Sequence, residues 1–400
     1  MATHVLMHKD IPVANLEIDA ASGKITTYQE RNKEYAPFLG NCDLAKINRW
    51  WSMRAVPVNR ELMQQVIRSA GCQTSLDYLE KNLALSITDT YWVRSAELDL
   101  KYADVSFSKI AVHNKGIVPY HNISSYDPNA SLGGQMDKYW DLSHDVPILV
   151  KESYRHYGQQ SLNEVMASYF HAAQQTDVPY VQYIAEHTED GGIACKCESF
   201  TSDTVEFVSA YEVLESAKIR NDQNNYQAYI DIVARHGVDR DVMQKYMDYQ
   251  TMSDFAISNT DEHLQNFGVL RNSDTMQIIG PAPIFDSGNS MFYAEKCEKP
   301  YTRVELLERQ ITSFYKTEEK LLANVQDVKV INTDLLLDPV LIRDFYVNAG
   351  IPEHKASVIA SNYQTKIRMI EEMQRGKQIS LYAEKQEEKA RSRGDEEWER

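Results

Sequence analysis

Polar and apolar residues alternate at the start of the chain. Up to about residue 40 they alternate around Gly23, a pattern that predicts short strands joined by turns. Helical spacing then covers residues 61–71, where a glycine ends it, and a second short helix is predicted over residues 75–81. Together these elements predict a small α+β unit over residues 1–125.

A polar, turn-rich run over residues 122–129 marks the boundary to a second unit. Beyond it come a glycine-containing turn and a short apolar strand that ends at Lys151. A helix over residues 161–174 and a strand over residues 195–200 follow. This order predicts a small β-rich lobe over residues 126–203.

Helical spacing dominates the rest of the chain, which predicts a larger, mainly helical lobe over residues 204–375. A polar, loop-like stretch interrupts it between Asn259 and Asn289. Helical periodicity returns over residues 306–322, 339–347 and 353–373. Residues 376–400 are rich in charge and predict a solvated helix or a disordered tail.

Composition narrows the class of protein. With 43% hydrophobic and 25% charged residues among 400, the chain is globular and large enough for more than one core. Its formal charge of −16 disfavours direct binding to nucleic acid. No stretch is apolar for the roughly 20 residues that a bilayer requires, and the first residues lack a signal-peptide plan. We therefore expect a cytoplasmic protein without membrane contact.

Cysteine usage fits the same compartment. The five cysteines are scattered and odd in number, which is typical of reduced thiols. Cys195 and Cys197 are separated by one residue, which is not the two-residue spacing of a zinc knuckle. We interpret them as ordinary strand thiols, with a metal site as the lesser alternative.

The chemistry-bearing segment is Ser258–Gly268, followed by Pro283–Gly288. Asp261 and Asn266 are five residues apart, the spacing of the catalytic-loop Asp and Asn of protein kinases. One carboxylate must orient the attacking hydroxyl and receive its proton, while an amide oxygen beyond it helps to hold Mg²⁺. Asp286, arriving on another loop, would bridge the metal ions.

Each of these residues also has a simpler interpretation. Asn, Thr and Asp favour turns and caps, and an Asp–Asn pair at this spacing also arises by chance. His263 could bind a transition metal with Asp261 and Glu262. Glu164 could form an ion pair with Lys151, or it could cap its own helix from the Ser-x-x-Glu pattern. The joint order of glycine turn, lysine, helix-borne glutamate, Asp–Asn pair and final aspartate favours the catalytic interpretation.

That order resembles the HipA-like serine/threonine kinases over about residues 128–375. The family's Asn/Thr-Asp-x-His-x-x-Asn segment appears at residues 259–266, and its Pro-x-aromatic-Asp segment appears at residues 283–286. A Ser/Gly turn followed by Gln and Lys appears at residues 131–138, and a Glu-x-Phe hinge appears at residues 198–200. The resemblance implies an α+β, two-lobed protein-kinase-like fold behind the N-terminal unit, with ATP and Mg²⁺ as cofactors.

The resemblance also implies roles for single residues. Asp261 would be the catalytic base, Asn266 and Asp286 would bind Mg²⁺, and Lys151, paired with Glu164, would contact the α- and β-phosphates. Backbone N–H groups of the glycine turn would cover the phosphates, and the hinge would bracket the adenine. The residues implied around the nucleotide are Leu132, Gly133, Gly134, Gln135, Lys138, Lys151, Cys197, Glu198, Ser199, His263, Asn266, Phe285 and Asp286.

Three functions remain open on the sequence alone. The first is a kinase that phosphorylates Ser or Thr of another protein and also itself, with Ser131 in the glycine turn as the candidate acceptor. The second is a non-catalytic nucleotide-binding module, such as a pseudokinase or a toxin–antitoxin regulatory partner. The third is a small-molecule kinase on the same scaffold. Members of the family often act beside a small DNA-binding antitoxin, which makes such a protein a candidate partner.

Overall fold

A computed structural model of the chain describes residues 2–55, 71–107, 137–189 and 191–398. The N-terminal unit is an antiparallel sheet in the order β3-β2-β1-β4, covered by helices. Alternating side chains of its strands build a core with Trp51, whose indole N–H donates to the Gly23 carbonyl at 3.0 Å. Its elements are β1 (Ala2–His8), β2 (Ile11–Ile18), β3 (Ile25–Glu30), α1 (Leu44–Arg54), α2 (Ser75–Lys81), β4 (Tyr91–Ser95) and α3 (Tyr102–Val105).

A second antiparallel sheet has the order β5-β6-β8-β7 and packs on one long helix. Its strands are β5 (Asp137–Asp141), β6 (Ile148–Ser153), β7 (Ile184–His187) and β8 (Ile193–Glu198), and the helix is α4 (Gln159–Gln174). Gly158 caps the helix with a φ of +71°, and a Cβ there would lie 2.7 Å from the Ile193 side chain. This close approach requires glycine and fixes where α4 begins.

The remaining chain is a three-stranded sheet, in the order β11-β10-β9, surrounded by helices. Buried tyrosines of two of these helices fill its main core, with Tyr226 and Tyr229 on α6 and Tyr246 and Tyr249 on α7. The elements are β9 (Val205–Ser209), α5 (Ala210–Glu215), α6 (Asn225–Arg235), α7 (Arg240–Ile257), β10 (Gly268–Asn272), β11 (Ile278–Pro281), α8 (Arg303–Glu308), α9 (Glu318–Leu322), α10 (Pro339–Asn348), α11 (Glu353–Gln374) and α12 (Leu381–Trp398).

Glu206, on β9, joins the N-terminal unit to this last sheet. Its carboxylate accepts from Arg271 on β10 at 2.7 Å, from His8 on β1 at 2.8 Å and from the Thr90 hydroxyl at 2.5 Å. Burial alone would raise the pKa of Glu206, but the charge of Arg271 and the bond from His8 hold it well below its usual range. The two units therefore share one buried, fully bonded carboxylate.

The structure confirms the mixed α+β class. The predicted helix over residues 75–81 and the short strands predicted within the first 40 residues are present, and the charged C-terminal stretch is helical. Residues 61–70 of the predicted first helix and the glycine turn at residues 131–135 lie outside the described residues. In the part of the chain that the structure describes, no helix is long and apolar enough to cross a membrane.

The predictions for this part of the chain are wrong in two places. Residues 205–209, expected to be helical, and residues 268–272 and 278–281, expected to be loop-like, are strands that pair in one antiparallel sheet. The single helix expected over residues 306–322 is two short helices with an isolated bridge between Gln310 and Thr317. The predicted apolar positions are buried, but they lie on two helices, with Leu306 and Leu307 on α8 and Leu321 on α9.

Candidate active site

Lys151 connects three elements of the structure. It lies near the end of β6, and its ammonium group donates to Glu164 of α4 at 2.5 Å and to Asp286, after β11, at 2.6 Å. Because α4 begins at Gln159, two positions before Ser161, Glu164 is an interior helix residue. The predicted Lys151–Glu164 ion pair is confirmed, and the alternative in which Glu164 caps its own helix is wrong.

Charge in this cluster follows from the single buried lysine. Burial would lower the pKa of Lys151, but attraction to Asp286 and then to Glu164 raises it well above its ordinary value. Burial would raise the pKa of Asp286, yet Lys151 and then Lys138 hold it well below its usual range. Burial raises the pKa of Glu164 to about 7 against the attraction of Lys151. Asp286 is therefore ionised at neutral pH, because the positive charges of Lys151 and Lys138 stabilise its carboxylate.

The backbone after Asp286 is held in an unusual shape. Asp286 has a φ of +63°, a left-handed conformation that aspartate tolerates better than most residues. The Ser287 N–H donates to Glu164 at 2.8 Å, and Asn163 donates to the carbonyls of Gly288 and Ser290 at 2.9 and 2.6 Å. Helix α4 thus fixes the loop over residues 286–290 by three hydrogen bonds.

The same loop holds Asp261. The amide of Asn289 donates to Asp261 Oδ2 at 2.7 Å, and Gln160 of α4 donates to Asn289 Oδ1 at 3.3 Å. The Thr260 hydroxyl donates to the Asn289 carbonyl at 3.2 Å. The carboxylate proposed as base is therefore oriented by a neutral amide, which leaves its second oxygen for another partner.

Asn266 lies five residues beyond Asp261 and closes the loop that holds it. Its amide N–H donates to the Asp261 carbonyl at 2.7 Å, and its backbone N–H donates to the His263 carbonyl at 2.7 Å. The first bond leaves the amide oxygen of Asn266 as the end that can bind a cation. A carboxylate at Asp286 and an amide oxygen at Asn266 are the hard oxygen donors that Mg²⁺ prefers, so these residues fit that ion.

Transition-metal binding finds no support in the structure. Over the ranges that the structure describes, no group of three or more His, Cys, Asp or Glu side chains could hold a metal ion. Glu262 is buried and bonded to amides, so the alternative site of His263, Asp261 and Glu262 does not form. Burial raises the pKa of Cys197 to about 12, which agrees with a strand thiol.

The residues expected around adenine lie at the end of β8. Cys197 is buried, Glu198 is exposed, and the Ser199 N–H donates to the Pro147 carbonyl at 2.8 Å. Phe285 packs against Phe200, with ring centroids 5.4 Å apart. Strand end, hinge and the aromatic residue before Asp286 therefore meet in one place.

Other predicted residues are placed less completely. Lys138 lies on β5 directly opposite Lys151 in the sheet register, and His263 is half-buried in the loop between Asp261 and Asn266. Ser131 and the turn residues Leu132, Gly133, Gly134 and Gln135 lie outside the described residues. Asn289 and Gln160 were not predicted; the only signal for Asn289 was its place three residues after Asp286.

Comparison with known proteins gives a family. Residues 130–337 match the model of the HipA-like C-terminal domain, which is just over half of the chain. No curated protein matches significantly. Similar solved structures include the proinflammatory kinase CtkA of Helicobacter pylori, at 16% identity over 61% of this chain and 92% of that one, with a TM-score of 0.44. Another is HipA of Shewanella oneidensis MR-1, solved with HipB and operator DNA, at 13% identity over 93% and 91%, with a TM-score of 0.48.

Proposed function

The chain belongs to the family with the HipA-like C-terminal domain, and from that premise we propose that it is an ATP- and Mg²⁺-dependent serine/threonine protein kinase. One observation carries the proposal. Asp261 is bonded to Asn289, and Asn289 lies three residues from Asp286, which is bonded to Lys151. A base for the acceptor and a cation for the phosphates are thus both bonded to residues of one short loop, 286–290.

In this mechanism Asp261 orients the acceptor hydroxyl and receives its proton as the phosphoryl group is transferred. Asn289 donates to Oδ2 at 2.7 Å, so Oδ1 would be the oxygen that accepts from the acceptor hydroxyl. A base that is already held beside the hydroxyl avoids the entropic cost of bringing a base there from solution. The Asn266 amide stabilises the same loop by donating to the backbone carbonyl of Asp261.

Lys151 would contact the α- and β-phosphates, with Glu164 holding it in place from α4. Its two carboxylate partners keep it charged, as phosphate binding requires. Asp286 and the Asn266 oxygen would hold Mg²⁺, which neutralises phosphate charge when bound. Backbone N–H groups of residues 132–135 would cover the phosphates, Cys197 to Ser199 would bracket the adenine, and Lys138, His263 and Phe285 would complete the pocket.

The substrate is proposed to be a protein, including the chain itself at Ser131. A small DNA-binding antitoxin is a further proposed partner, since the Shewanella HipA was solved with HipB and operator DNA. The net charge of −16 suits a basic partner of that kind and disfavours direct contact with DNA. A cytoplasmic location belongs to the same proposal.

The test is transfer of labelled γ-phosphate from ATP in the presence of Mg²⁺, scored on protein, on small molecules and in water. Asp261→Asn keeps the shape of the side chain but removes the proton acceptor. We expect its kcat to fall about 10²–10⁴-fold, with nucleotide affinity within a few-fold of wild type. A variant that keeps more than about a tenth of the rate contradicts the role of Asp261. Label on neither protein nor metabolite from the wild type favours a non-catalytic binding module.

A further inference from the structure

Two adjacent acids of the catalytic loop have opposite surroundings. Asp261 is half-buried and bonded to Asn289, whereas the side chain of the next residue, Glu262, points into the protein and is 4% exposed. A solvent-facing glutamate at this position would need no explanation. A buried one without a cationic partner is expensive, so its hydrogen bonds define what it does.

Those bonds run through amides. Glu262 Oε2 accepts from the Gln250 side chain of α7 at 2.7 Å, and Glu262 Oε1 accepts from Asn259 Nδ2 at 2.8 Å. Asn259 Nδ2 also donates to Asp254 of α7, at 3.1 Å. Both hydrogens of the Asn259 amide are therefore committed to carboxyl groups.

This commitment fixes the other end of Asn259. With its nitrogen held by Glu262 and Asp254, its Oδ1 has one orientation, in which it accepts from the Asp261 N–H at 3.3 Å. The side chain of Asn259 thus connects a buried carboxyl on one side with the backbone of the catalytic aspartate on the other. If Glu262 were removed, the amide could rotate and the Asp261 N–H would lose its acceptor.

We propose that Glu262 is a positioning residue which, through Asn259, holds the backbone of Asp261 where its carboxylate can act as the base. The inference rests on the proposed kinase function and deepens it. Asn289 fixes the Asp261 side chain from the loop after β11, and the Glu262–Asn259 pair fixes its backbone from α7. Two independent anchors are what a base needs to stay within reach of one hydroxyl.

The protonation of Glu262 agrees with this role. Burial, then repulsion from Asp254, raises the pKa of Glu262 well above its ordinary value, so the neutral acid is the expected form. Gln250 Oε1 is buried without a partner in the described part of the chain. Rotation of the Gln250 amide by 180° would let a protonated Glu262 donate to that oxygen. Glutamine at position 262 could make the same set of bonds.

The experiment therefore compares Glu262→Gln with Glu262→Met, which keeps the volume and removes both oxygens. We expect Glu262→Met to lower kcat about 10- to 100-fold, because misplacement by about 1 Å suffices for that. Its KM for ATP should stay within about two-fold, while Glu262→Gln should keep kcat within about three-fold. A structural defect alone would not be rescued by glutamine in this way.

The matched control is Asp248→Ala. Asp248 is another buried carboxyl of α7, and it accepts from the N–H groups of Gln326 and Asp327, far along the helix from the loop. Its removal should lower the melting temperature but leave kcat within about two-fold. If Asp248→Ala loses kcat as Glu262→Met does, the effect is general destabilisation and the proposal fails.

A second measurement is independent of turnover. Hydrogen exchange of the peptide spanning residues 258–268 should be faster in Glu262→Met and unchanged in Glu262→Gln. Unchanged exchange in Glu262→Met overturns the proposal whatever the activity. Faster exchange in a chain whose wild type transfers no phosphate means that the kinase function fails while the positioning of the loop stands. Should Glu262→Met not fold, Gln250→Met tests the same chain of bonds, and we expect the same changes at about a third of the size.

Discussion

Glu164 and Asp286 share one lysine, whereas Asp254 and Glu262 share one asparagine amide. The lysine keeps Asp286 ionised and holds its pKa well below the usual range. The amide carries no charge, so burial raises the pKa of Asp254 to about 8 and that of Glu262 well above its ordinary value. Burial raises the pKa of Glu164 too, to about 7, so of these four acids Asp286 is the one that its bond to the lysine holds ionised.

The difference separates two tasks around Asp261. The lysine cluster, formed by Lys151, Glu164 and Asp286, carries charge where phosphates and a metal ion are proposed to bind. It is partly exposed to solvent, because the side chain of Asp286 is 29% exposed. The amide cluster, formed by Asp254, Asn259 and Glu262, is buried, and its two acids are expected in the neutral form. Its hydrogen bonds therefore fix orientation and add no charge. The lysine cluster thus supplies charge, and the amide cluster supplies orientation.

The largest effect should come from removing the cation. Lys151→Met removes the lysine to which both Glu164 and Asp286 are bonded, so we expect the free energy of unfolding to fall by about 3–5 kcal/mol. Urea unfolding measures it, and adding Glu164→Gln should recover part of the loss because one buried charge is gone. Additive effects of the two changes would mean that Lys151 and Glu164 are not coupled.

Lys366 provides the matched control for this change. It is a second buried lysine, and it pairs with the single carboxylate of Glu318. Lys366→Met strands one charge instead of two, so its loss should be smaller than that of Lys151→Met. If Lys366→Met lowers the free energy of unfolding as much as Lys151→Met or more, then sharing one lysine between two carboxylates does not make it more important for stability.

The sequence was sufficient for the lysine cluster but not for the amide cluster. Lys151, Glu164, Asp261, Asn266 and Asp286 stand in an order that resembles one family of kinases. In the structure Lys151 is bonded to both Glu164 and Asp286, and Asn266 is bonded to Asp261. The motif order therefore predicted that Lys151, Glu164 and Asp286 come together.

Hydrogen-bonded amides leave no such pattern. Asn289 and Gln160 are unremarkable turn and helix residues in sequence, and Glu262 has the composition of a surface acid. Whether Glu262 points inward depends on Gln250, twelve residues earlier on α7, and on Asp254. Strand β9 was missed for a similar reason: Glu206 interrupts its apolar run, and its burial is compensated by hydrogen bonds from Arg271, His8 and Thr90.

The next largest effect concerns the ionised end of the lysine cluster. Asp286→Ala removes a proposed Mg²⁺ ligand, so we expect both the rate and the Mg²⁺-dependent affinity for ATP to fall, the affinity by about 10- to 100-fold. Titration of Mg²⁺ against bound nucleotide measures this. A metal requirement equal to that of the wild type would make Asp286 a turn residue only.

The amide cluster should appear in the pH dependence of stability. Asp254 has a folded pKa of about 8 and an unfolded value near 4, so between these values the folded state binds the extra proton. Stability should then fall as pH rises through this window, by up to about 1.4 kcal/mol per pH unit from this one proton, and the contribution of Asp254 should stop changing above about pH 8. Urea unfolding at several pH values should show a shallower slope for Asp254→Asn, with Glu262 keeping part of it. Equal slopes would mean that Asp254 is ionised in the folded state.

The smallest effect should come from Gln160, which holds Asn289 and thereby Asp261 on the open side. The bond is 3.3 Å long and half-buried, so its loss is worth about 0.5–1.5 kcal/mol, or about 2- to 10-fold in kcat for Gln160→Ala. Gln174→Ala is the control: it lies at the other end of α4 and bonds to Asn332, so it should lower stability without changing kcat. Because Asn289 also keeps its direct bond to Asp261, the loss at Gln160 should stay below that of Glu262→Met, where the Asn259 amide is released. A greater loss at Gln160 would reverse the order of the two anchors and place the decisive one beside the lysine cluster.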